Sequence, residues 1–381
     1  ELFVLDDGWF GQRNDDHAGL GDWVANPERL PNGIKGLSER IEAMGIKFGL
    51  WFEPEMTNKD SDLYRAHPDW ILHTPGRNAS HGRYQYVLDF SRKEVVEYIY
   101  EMMAKILSEA KVSYIKWDMN RSITECYSVA LPADRQGEVF HRYILGVYDL
   151  YERLTSEFPE VLFESCSSGG GRFDPGMLYY APQGWTSDDS DAIERLKIQY
   201  GTSLCYPISS MGSHVSVIPN HQVFRKTPLH TRANVAYFGT FGYELDLNSL
   251  KEEEIAEVKE QIIFMKKYRK LFQFGDFYRL KSPFEGNETI WMVVSEDKKT
   301  AIVGYYRTLN GVNQAYSRIK LQGLDPDMLY ENILNKTENY GDELMNFGLI
   351  TTDVTAGEVP GDATPCTDFE SRIYTLKAKE K

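Results

Sequence analysis

The chain has 381 residues, which allows about two or three average domains or one large barrel with a smaller companion. Hydrophobic residues make up 42% and charged residues 26%, and these proportions exclude disordered, collagen-like and membrane-embedded chains. The 42 Lys and Arg residues against 57 Asp and Glu residues give a net charge of −15, which repels nucleic acid and anionic lipid. We therefore expect neither nucleic acid nor a membrane as a partner.

Cysteine and histidine spacing gives no sign of a metal site. The four cysteines include no C-x-x-C pair, and the eight histidines form no H-x-H or H-E-x-x-H motif. Only His214 follows a predicted strand, so we predict no metal and no cofactor. Unpaired thiols favour a reducing compartment, and we predict a cytoplasmic protein, although a chain that begins at Glu1 leaves a signal peptide undecided. The cysteines are Cys126, Cys166, Cys205 and Cys366.

Strand-like and helix-like segments alternate over the first two thirds of the chain, a pattern typical of β/α units around a parallel sheet. Strands are predicted at residues 2–6, 46–52, 112–118, 160–166, 183–188, 205–210 and 236–241. Helices are predicted from residue 34 to Gly45, from a capping box of Ser91 and Glu94 to Ile106, and at residues 135–158, 191–203, 223–235 and 251–270.

Seven β/α units are one short of a (β/α)8 barrel, so we predict a TIM-type barrel that is truncated at its N-terminus by one unit. The alternative is an open doubly wound sheet, but no G-x-G-x-x-G motif follows the first strand. Short strand-like segments separated by turn residues follow, and they predict a small antiparallel β-sandwich. We place the catalytic barrel at residues 1–272 and the β domain at residues 273–381.

Acidic and aromatic side chains collect where five of the predicted strands end. A barrel builds its active site at the carboxyl ends of its strands, so we expect these side chains to share one site. The acidic and aromatic residues, together with a lysine, a cysteine and a glycine at the same strand ends, are Asp6, Asp7, Trp51, Glu53, Glu55, Lys116, Asp118, Cys166, Gly169, Trp185 and Asp188.

Two of these carboxyl groups are predicted to differ in ionisation. Lys116 and Asp118 share one face of a strand, and a lysine favours the ionised carboxylate that a nucleophile needs. Asp188 has Asp189 and Asp191 as like-charged neighbours, which favours the protonated carboxyl that a general acid needs. Two carboxyls about 5 to 5.5 Å apart are typical of a retaining glycosidase.

The remaining groups suit a sugar. Asp6 and Asp7 can accept from two adjacent hydroxyls, and Trp51 can pack against the apolar face of a sugar ring. Gly169 lies in a run of three glycines, which permits a tight turn or brings backbone N–H groups close to a ligand.

Each residue also has a structural interpretation. An aspartate after a strand is often the N-cap of the next helix, and Asp191 fits that role best. Glu53 and Glu55 are rival catalytic carboxylates, and we favour supporting roles for both. Lys116 can be a structural ion-pair partner, and Cys166 an inert buried thiol.

Five segments resemble the microbial α-galactosidases of glycoside hydrolase family 36, in order and over residues 1 to about 245. The segments are Leu5–Gly11 (LDDGWFG), Trp51–Met56 (WFEPEM), Lys116–Arg121 (KWDMNR), Cys166–Asp174 (CSSGGGRFD) and Trp185–Ala192 (WTSDDSDA).

The resemblance implies catalytic roles for the two aspartates, with Asp118 as the nucleophile and Asp188 as the acid/base. It implies that Asp6 and Asp7 bind the 4- and 6-hydroxyls of galactose. The other residues that it assigns to substrate binding are Arg83, Lys116 and the pocket-shaping residues Trp51, Cys166, Gly169 and Trp185.

We therefore predict a retaining exo-α-galactosidase that hydrolyses melibiose- or raffinose-type galactosides. The nearest alternatives use the same site, as in an α-galactosyltransferase of the raffinose-synthase type or an α-N-acetylgalactosaminidase. A different class would be a non-catalytic carbohydrate-binding protein, which would need neither Asp118 nor Asp188. The resemblance also implies an upstream β-sandwich domain and a homo-oligomer, a tetramer in some family members.

Overall fold

The computed structural model describes residues 1–312, 317–351 and 368–379. Over these residues the chain divides into two compact units, Glu1–Trp185 and Thr186–Lys381, which are described in turn. No helix within the described ranges is both long and apolar enough to cross a membrane.

The first unit is built on a parallel sheet whose strands lie side by side in chain order, β1-β2-β5-β6-β7. Its strands are β1 (Leu2–Leu5), β2 (Lys47–Phe52), β3 (Met56–Asn58), β4 (Gln85–Val87), β5 (Tyr114–Trp117), β6 (Leu162–Ser165) and β7 (Gln183–Gly184), of which β3 and β4 form a separate antiparallel pair. Its helices are α1 (Gly33–Ala43), α2 (Asp62–Ala66), α3 (Lys93–Glu109), α4 (Val139–Glu157) and α5 (Pro175–Tyr180), with 3-10 turns at Pro68–Trp70 and Ala133–Glu138. This arrangement confirms the predicted β/α alternation for the first five strands.

Apolar periodicity explains how these elements pack. Helix α3 buries Val95, Ile99 and Met103, which recur every four residues and so form one face. Strand β2 is buried from Phe48 to Phe52, as expected for a parallel strand covered on both faces. Helix α1 ends as predicted at Gly45, whose φ of +77° suits a residue without a Cβ.

The predicted capping box at Ser91 is wrong. Helix α3 begins at Lys93 with Arg92 at the N-cap position and no side-chain cap. The Ser91 hydroxyl donates instead to the buried carboxylate of Asp89, and Glu94 pairs with Arg92 at 2.8 Å. A buried acceptor two residues away thus outcompetes the helix terminus for the serine.

The second unit combines a parallel strand pair with an antiparallel sheet. Its helices are α6 (Ala192–Ser203), α7 (Leu229–Ala236), α8 (Glu252–Phe274) and α9 (Gly341–Asn346), with 3-10 turns at Ile208–Ser210 and Leu247–Ser249. Its strands are β8 (Gly212–Ser216), β9 (Thr240–Glu244), β10 (Asp276–Lys281), β11 (Glu288–Val294), β12 (Thr300–Arg307), β13 (Arg318–Ile319), β14 (Leu329–Asn332), β15 (Glu338–Tyr340), β16 (Leu349–Ile350) and β17 (Glu370–Ala378). The pair β8-β9 is parallel, and the six-stranded sheet has the order β10-β11-β12-β17-β14-β15.

The predicted antiparallel β module is confirmed as a sheet. One hydrophobic core joins this sheet to Ile319 and Leu349 of the β13-β16 pair and to Leu344 of α9. The boundary between residues 272 and 273 stays a prediction.

Three predicted elements of the second unit are displaced. Residues 205–210 are not a strand, because Pro207 fixes a backbone angle that starts the 3-10 turn Ile208–Ser210, and the strand follows at Gly212–Ser216. The helix predicted from residue 223 begins only after Pro228, since a proline disfavours helical geometry in the residue before it. That helix extends to Ala236, so the next strand begins at Thr240 instead of residue 236.

Close packing between α4 and the loop after β4 gives a test of the first unit. A Cβ added at Gly146 would overlap the carbonyl oxygen of Phe90, whereas one added at Gly137 would meet nothing within 4 Å. We expect Gly146→Ala to lower the free energy of unfolding by about 1–3 kcal/mol through overpacking. Urea unfolding of the full-length protein measures this, and equal stability of Gly146→Ala and the control Gly137→Ala would contradict the packing.

Candidate active site

Asp118 lies directly after strand β5, at the carboxyl end of the parallel sheet of the first unit. Its backbone N–H donates to Phe52 O at 2.7 Å, which continues the pairing between β5 and β2 by one residue. The residue is 6% exposed, so its carboxyl is buried apart from a small open surface. The sheet therefore fixes its backbone at the strand end where the sequence predicts the site.

Three N–H donors converge on the carboxylate of Asp118. Trp51 Nε1 lies 3.2 Å and Asn120 Nδ2 2.7 Å from Oδ2, and the backbone N of Met119 lies 2.9 Å from Oδ1. Trp51 is in turn oriented by Trp9, whose Nε1 donates to Trp51 O at 2.9 Å. Both carboxylate oxygens are thus held in one orientation.

Lys116 lies two residues before Asp118, as the strand period predicts, but its ion-pair partner is Asp6. Lys116 Nζ lies 3.0 Å from Asp6 Oδ2, and the side-chain exposures are 24% and 59%. Burial lowers the pKa of Lys116, but the negative charge of Asp6, followed by that of Glu164, raises it above its ordinary value. The lysine is therefore charged, and it presents an exposed carboxylate beside the nucleophile candidate.

Asp7 is held by an arginine that the sequence analysis did not single out. Arg13 donates Nε to Asp7 Oδ1 at 2.9 Å and Nη2 to Asp7 Oδ2 at 2.7 Å, a bidentate pair. Arg13 is itself buried and donates to Asn58 Oδ1 at 3.2 Å. Asp7 is therefore rigid, whereas Asp6 is the more exposed of the two.

Cys166 and Trp185 lie near Asp118 and Lys116. The Cys166 backbone N donates to Trp117 O at 2.7 Å, which continues the pairing between β5 and β6 by one residue. Burial, followed by the charge of Asp118, raises the pKa of this thiol far above its ordinary value, so it is not a nucleophile. The Lys116 ammonium lies 5.9 Å from the centroid of the buried Trp185 ring.

The loop at Gly169 is a tight turn. Gly169 has a φ of +85° and the preceding Ser168 a φ of +46°, and Ser167 N donates to Gly169 O at 2.8 Å. Ser168 Oγ lies 3.3 Å from Asn120 Oδ1, which joins this turn to the segment after β5.

Arg83 is exposed and also has a positive φ, +51°.

The rival carboxylates Glu53 and Glu55 are both 0% exposed, so neither offers surface to a substrate. Glu55 forms a bidentate pair with Arg172 at 2.8 and 2.9 Å and accepts from Trp117 Nε1 at 2.8 Å. Glu53 accepts from the backbone of Asn120 and from Gln85 Nε2, the latter at 2.9 Å. The complete burial of Glu53 and Glu55 is consistent with the prediction that both support other residues instead of reacting with a substrate.

Asp188 belongs to the second unit, where the loop after β8 holds its segment. Asp188 is half-buried, and its backbone O accepts from Gln222 Nε2 at 2.8 Å. Asp191 caps helix α6, as predicted, by accepting from Ile193 N at 3.0 Å and Glu194 N at 3.1 Å.

One of the two acidic neighbours of Asp188, Asp191, is paired with an arginine. Arg225 pairs with Asp191 and also lies 3.2 Å from Glu194, so the negative charge of Asp191 is offset locally. Asp189 Oδ1 accepts from Asp191 N at 3.0 Å and fixes the turn into the helix.

The candidate residues do not gather metal ligands. Within the described part of the chain, the group of side chains with suitable spacing is the exposed set Asp15, Asp16 and His17. His214 lies within β8, 3.4 Å from Glu244, and the prediction of no metal stays a prediction. The cysteines Cys126, Cys166 and Cys205 are free, and Cys366 lies outside the described residues.

Sequence reasoning missed the groups that fix the candidate residues in place. Asn120 and Arg172 lie in the KWDMNR and CSSGGGRFD segments, and Arg13 lies two residues after LDDGWFG, but no spacing rule identifies any of the three as a supporting group. These supporting groups are recognised only from their contacts in the folded chain, such as the contact that joins Arg172 to Glu55 across 117 positions.

Comparison with known proteins gives consistent matches over both units. Residues 1–275 match the family model Melibiase, and residues 288–376 match the Glycosyl hydrolase family 36 C-terminal domain. The α-galactosidase AgaA of Geobacillus stearothermophilus is 54% identical over 100% of this chain and 51% of its own length. The α-galactosidase Mel36A of Lactobacillus acidophilus is 49% identical over 99% of this chain and 50% of its own length. The chain thus spans about half the length of the curated relatives it matches.

Solved structures agree with these matches. A variant of AgaA from Geobacillus stearothermophilus with two substitutions, in complex with raffinose, superposes with a TM-score of 0.94 at 53% identity, over 100% of this chain and 51% of that chain. The α-galactosidase from Lactobacillus brevis gives a TM-score of 0.96 at 51% identity, with the same coverage.

The buried pair of Glu55 and Arg172 gives a test of the site's support. Arg172→Met would leave a fully buried carboxylate without its cation, and we expect a loss of about 3–5 kcal/mol in the free energy of unfolding. As a control, Arg135→Met removes an exposed pair with Glu138 and should barely move the unfolding midpoint. Chemical denaturation measures both, and equal midpoints would show that Glu55 does not depend on Arg172.

Proposed function

The chain belongs to glycoside hydrolase family 36, the melibiase family, and on that basis we propose that the whole protein is a retaining exo-α-galactosidase. Its substrates in this proposal are terminal α-galactosyl residues of melibiose- and raffinose-type sugars. The support is that curated relatives at 54% and 49% identity are α-galactosidases and that one of them has been crystallised with raffinose. The proposed reaction uses no cofactor.

Family membership implies a TIM-type barrel followed by a C-terminal domain. We propose that residues 1–272 supply this barrel without its first β/α unit and that residues 273–381 form the C-terminal β domain. The support is a strand count, since the described residues supply five parallel strands in one sheet and two in another, and a closed barrel of this type has eight.

In the proposed reaction Asp118 attacks the anomeric carbon while Asp188 protonates the glycosidic oxygen, which releases the leaving sugar. The product of this step is a covalent galactosyl-enzyme ester on Asp118. Asp188, now ionised, takes a proton from water, and the resulting attack on the same carbon releases galactose and regenerates both carboxyls.

The observation that carries the proposal is the fixed carboxylate of Asp118. Its oxygens accept from Trp51, Asn120 and Met119, so a nucleophile of defined orientation lies beside the charged pair of Lys116 and Asp6. Preorganised groups of this kind need no rearrangement when the substrate binds.

The other assigned residues bind galactose in this proposal. Asp6 has the exposed carboxylate that a hydroxyl can reach, and Lys116 keeps it in place while donating to hydroxyls near the nucleophile. Asp7, fixed by Arg13, accepts from the neighbouring hydroxyl. The remaining contacts are assigned to Trp51, Arg83, Cys166, Gly169 and Trp185.

Compartment, oligomeric state and reaction type complete the proposal for the whole protein. We place it in the cytoplasm, as its free cysteines favour, and assign it a homo-oligomeric state, a tetramer by family resemblance. Galactosyl transfer and α-N-acetylgalactosaminidase activity are the alternative reactions. Product analysis on raffinose and a comparison of aryl α-galactosides with N-acetylgalactosaminides distinguish them, and binding without turnover would indicate a carbohydrate-binding protein.

The nucleophile assignment predicts the outcome of Asp118→Ala in the full-length protein. Turnover of an aryl α-galactoside should fall at least 10³-fold, on the order seen when a nucleophile is removed. Added azide should then enter the vacated face and give the β-galactosyl azide, which chromatography and NMR identify. Asp89→Asn, which changes a buried carboxyl held by Ser91 and Ser128, serves as the control, and an active Asp118→Ala enzyme would refute the role.

The acid/base assignment predicts a dependence on the leaving group. Asp188→Ala should slow raffinose hydrolysis far more than hydrolysis of an activated aryl galactoside, because a phenolate with a low pKa leaves without protonation. Steady-state kinetics on both substrates measure the ratio. Equal losses on the two substrates would contradict the role of Asp188.

A further inference from the structure

Two buried glutamates of the first unit have opposite surroundings. Glu55 is neutralised by the bidentate contact with Arg172. Glu53, two residues earlier and equally 0% exposed, forms no ion pair with any of the described residues. A buried carboxylate without a cation is costly, so a carboxyl in this position favours its neutral form.

The contacts of Glu53 lead directly to the nucleophile candidate. One oxygen accepts the backbone N–H of Asn120, and the side chain of that asparagine donates Nδ2 to Asp118 Oδ2 at 2.7 Å. Ser168 Oγ lies 3.3 Å from the amide oxygen of Asn120 and fixes which end of the amide faces Asp118. Glu53 and Ser168 thus hold the backbone and the side chain of the residue that orients Asp118.

The second oxygen of Glu53 faces the side-chain amide of Gln85, which can donate to an ionised carboxylate or accept from a protonated carboxyl. Gln85 Nε2 lies 2.9 Å from Glu53 Oε2, and Gln85 is itself buried. The Gln85 side-chain oxygen has no hydrogen-bond partner within the described part of the chain. Rotation of the amide by 180° would offer that oxygen to a protonated Glu53, since the two ends of a glutamine differ only as donor and acceptor.

Burial and the neighbouring charge of Asp118 favour the protonated form of Glu53. Burial, followed by the negative charge of Asp118, raises the pKa of Glu53 to about 8. The hydrogen bonds from Asn120 and the charge of Arg83 act in the opposite direction but are smaller. A neutral Glu53 accepts from Asn120 without placing a second negative charge beside Asp118.

We infer that Glu53 is a positioning residue for the nucleophile, which keeps its own proton and, through Asn120, holds the Asp118 carboxylate in its attacking orientation. The inference rests on the proposed function and adds a residue to it. Glu53 has no exposed surface, so it contacts no substrate, and its hydrogen-bonded path to Asp118 runs through Asn120.

A double-mutant cycle in the full-length protein tests the path through Asn120. Asn120→Ala removes a hydrogen bond to a charged oxygen and should lower kcat by about 10- to 100-fold. Glu53→Ala should lower kcat with little change in KM for a substrate in which chemistry is limiting, and the double variant should lose no more than Asn120→Ala alone. Losses that multiply would overturn the inference.

The isosteric variant Glu53→Gln keeps an acceptor for Asn120 and mimics the neutral acid. We expect it to retain kcat within about threefold of the wild type at pH 6, where Glu53 is protonated. Glu53→Gln also provides the test if Glu53→Ala does not fold. A large loss of kcat in folded Glu53→Gln at pH 6 would overturn the inference.

The pH dependence supplies a readout that packing alone would not move. The pKa of Glu53 is about 8 in the folded protein against 4.5 for the ordinary group, so the stability due to the neutral form is complete below pH 4.5. This contribution falls as the pH rises and is lost by about pH 8. The melting temperature of Glu53→Gln, measured relative to that of the wild type, should therefore increase from pH 5 to pH 8. The kcat/KM of Glu53→Gln divided by that of the wild type should increase from pH 7 to pH 9.

Asp89→Asn is the matched control, because Asp89 is a buried carboxyl held by the hydroxyls of Ser91 and Ser128. Its kcat/KM relative to the wild type should not follow the profile of Glu53→Gln. A ratio for Glu53→Gln that stays constant from pH 7 to pH 9 would overturn the inference. A wild-type protein that fails to hydrolyse any α-galactoside would instead refute the proposed function, which separates the two failures.

Discussion

The organisation of the first unit depends on one constraint, the anchoring of the Asp118 carboxylate at the end of strand β5. The backbone N–H of Asp118 extends the pairing with β2, and Trp51 of that neighbouring strand donates to the side chain. Asn120 and Met119 supply the other donors from the loop that follows. A carboxylate that is 6% exposed is stable in one orientation only when donors replace the water it has lost.

Charge compensation organises the surroundings of this carboxylate. Arg13 holds Asp7, Lys116 pairs with Asp6, and Arg172 neutralises Glu55. In the second unit Arg225 does the same for Asp191, beside the segment that contains Asp188. The acidic groups therefore differ in their surroundings: Asp7, Glu55 and Asp191 are held by arginines, while Asp6 pairs with a lysine and stays exposed.

Local sequence rules succeeded where one strong signal decided the structure. Gly45 ends helix α1 with a positive φ, and Asp191 caps helix α6, because each needs only its immediate neighbours. They failed at Ser91, where a buried acceptor competes with the helix terminus, and at residues 205–210, where Pro207 starts a 3-10 turn and the strand follows later. At Ser91 a buried carboxylate two residues away outweighed the capping pattern, and at residues 205–210 a proline outweighed the apolar pattern.

The sequence by itself determined the β/α alternation of the first five strands, the antiparallel texture after residue 275 and the strand-end positions of the acidic residues. It could do so because apolar periodicity and strand ends are local properties of the chain. Only the tertiary structure decided that Lys116 pairs with Asp6, that Asp118 is held by Trp51 and Asn120, and that Glu53 is fully buried beside Asn120. Those facts join residues as many as 110 positions apart, and the choice of partner is set by strand register and packing, which no single segment encodes.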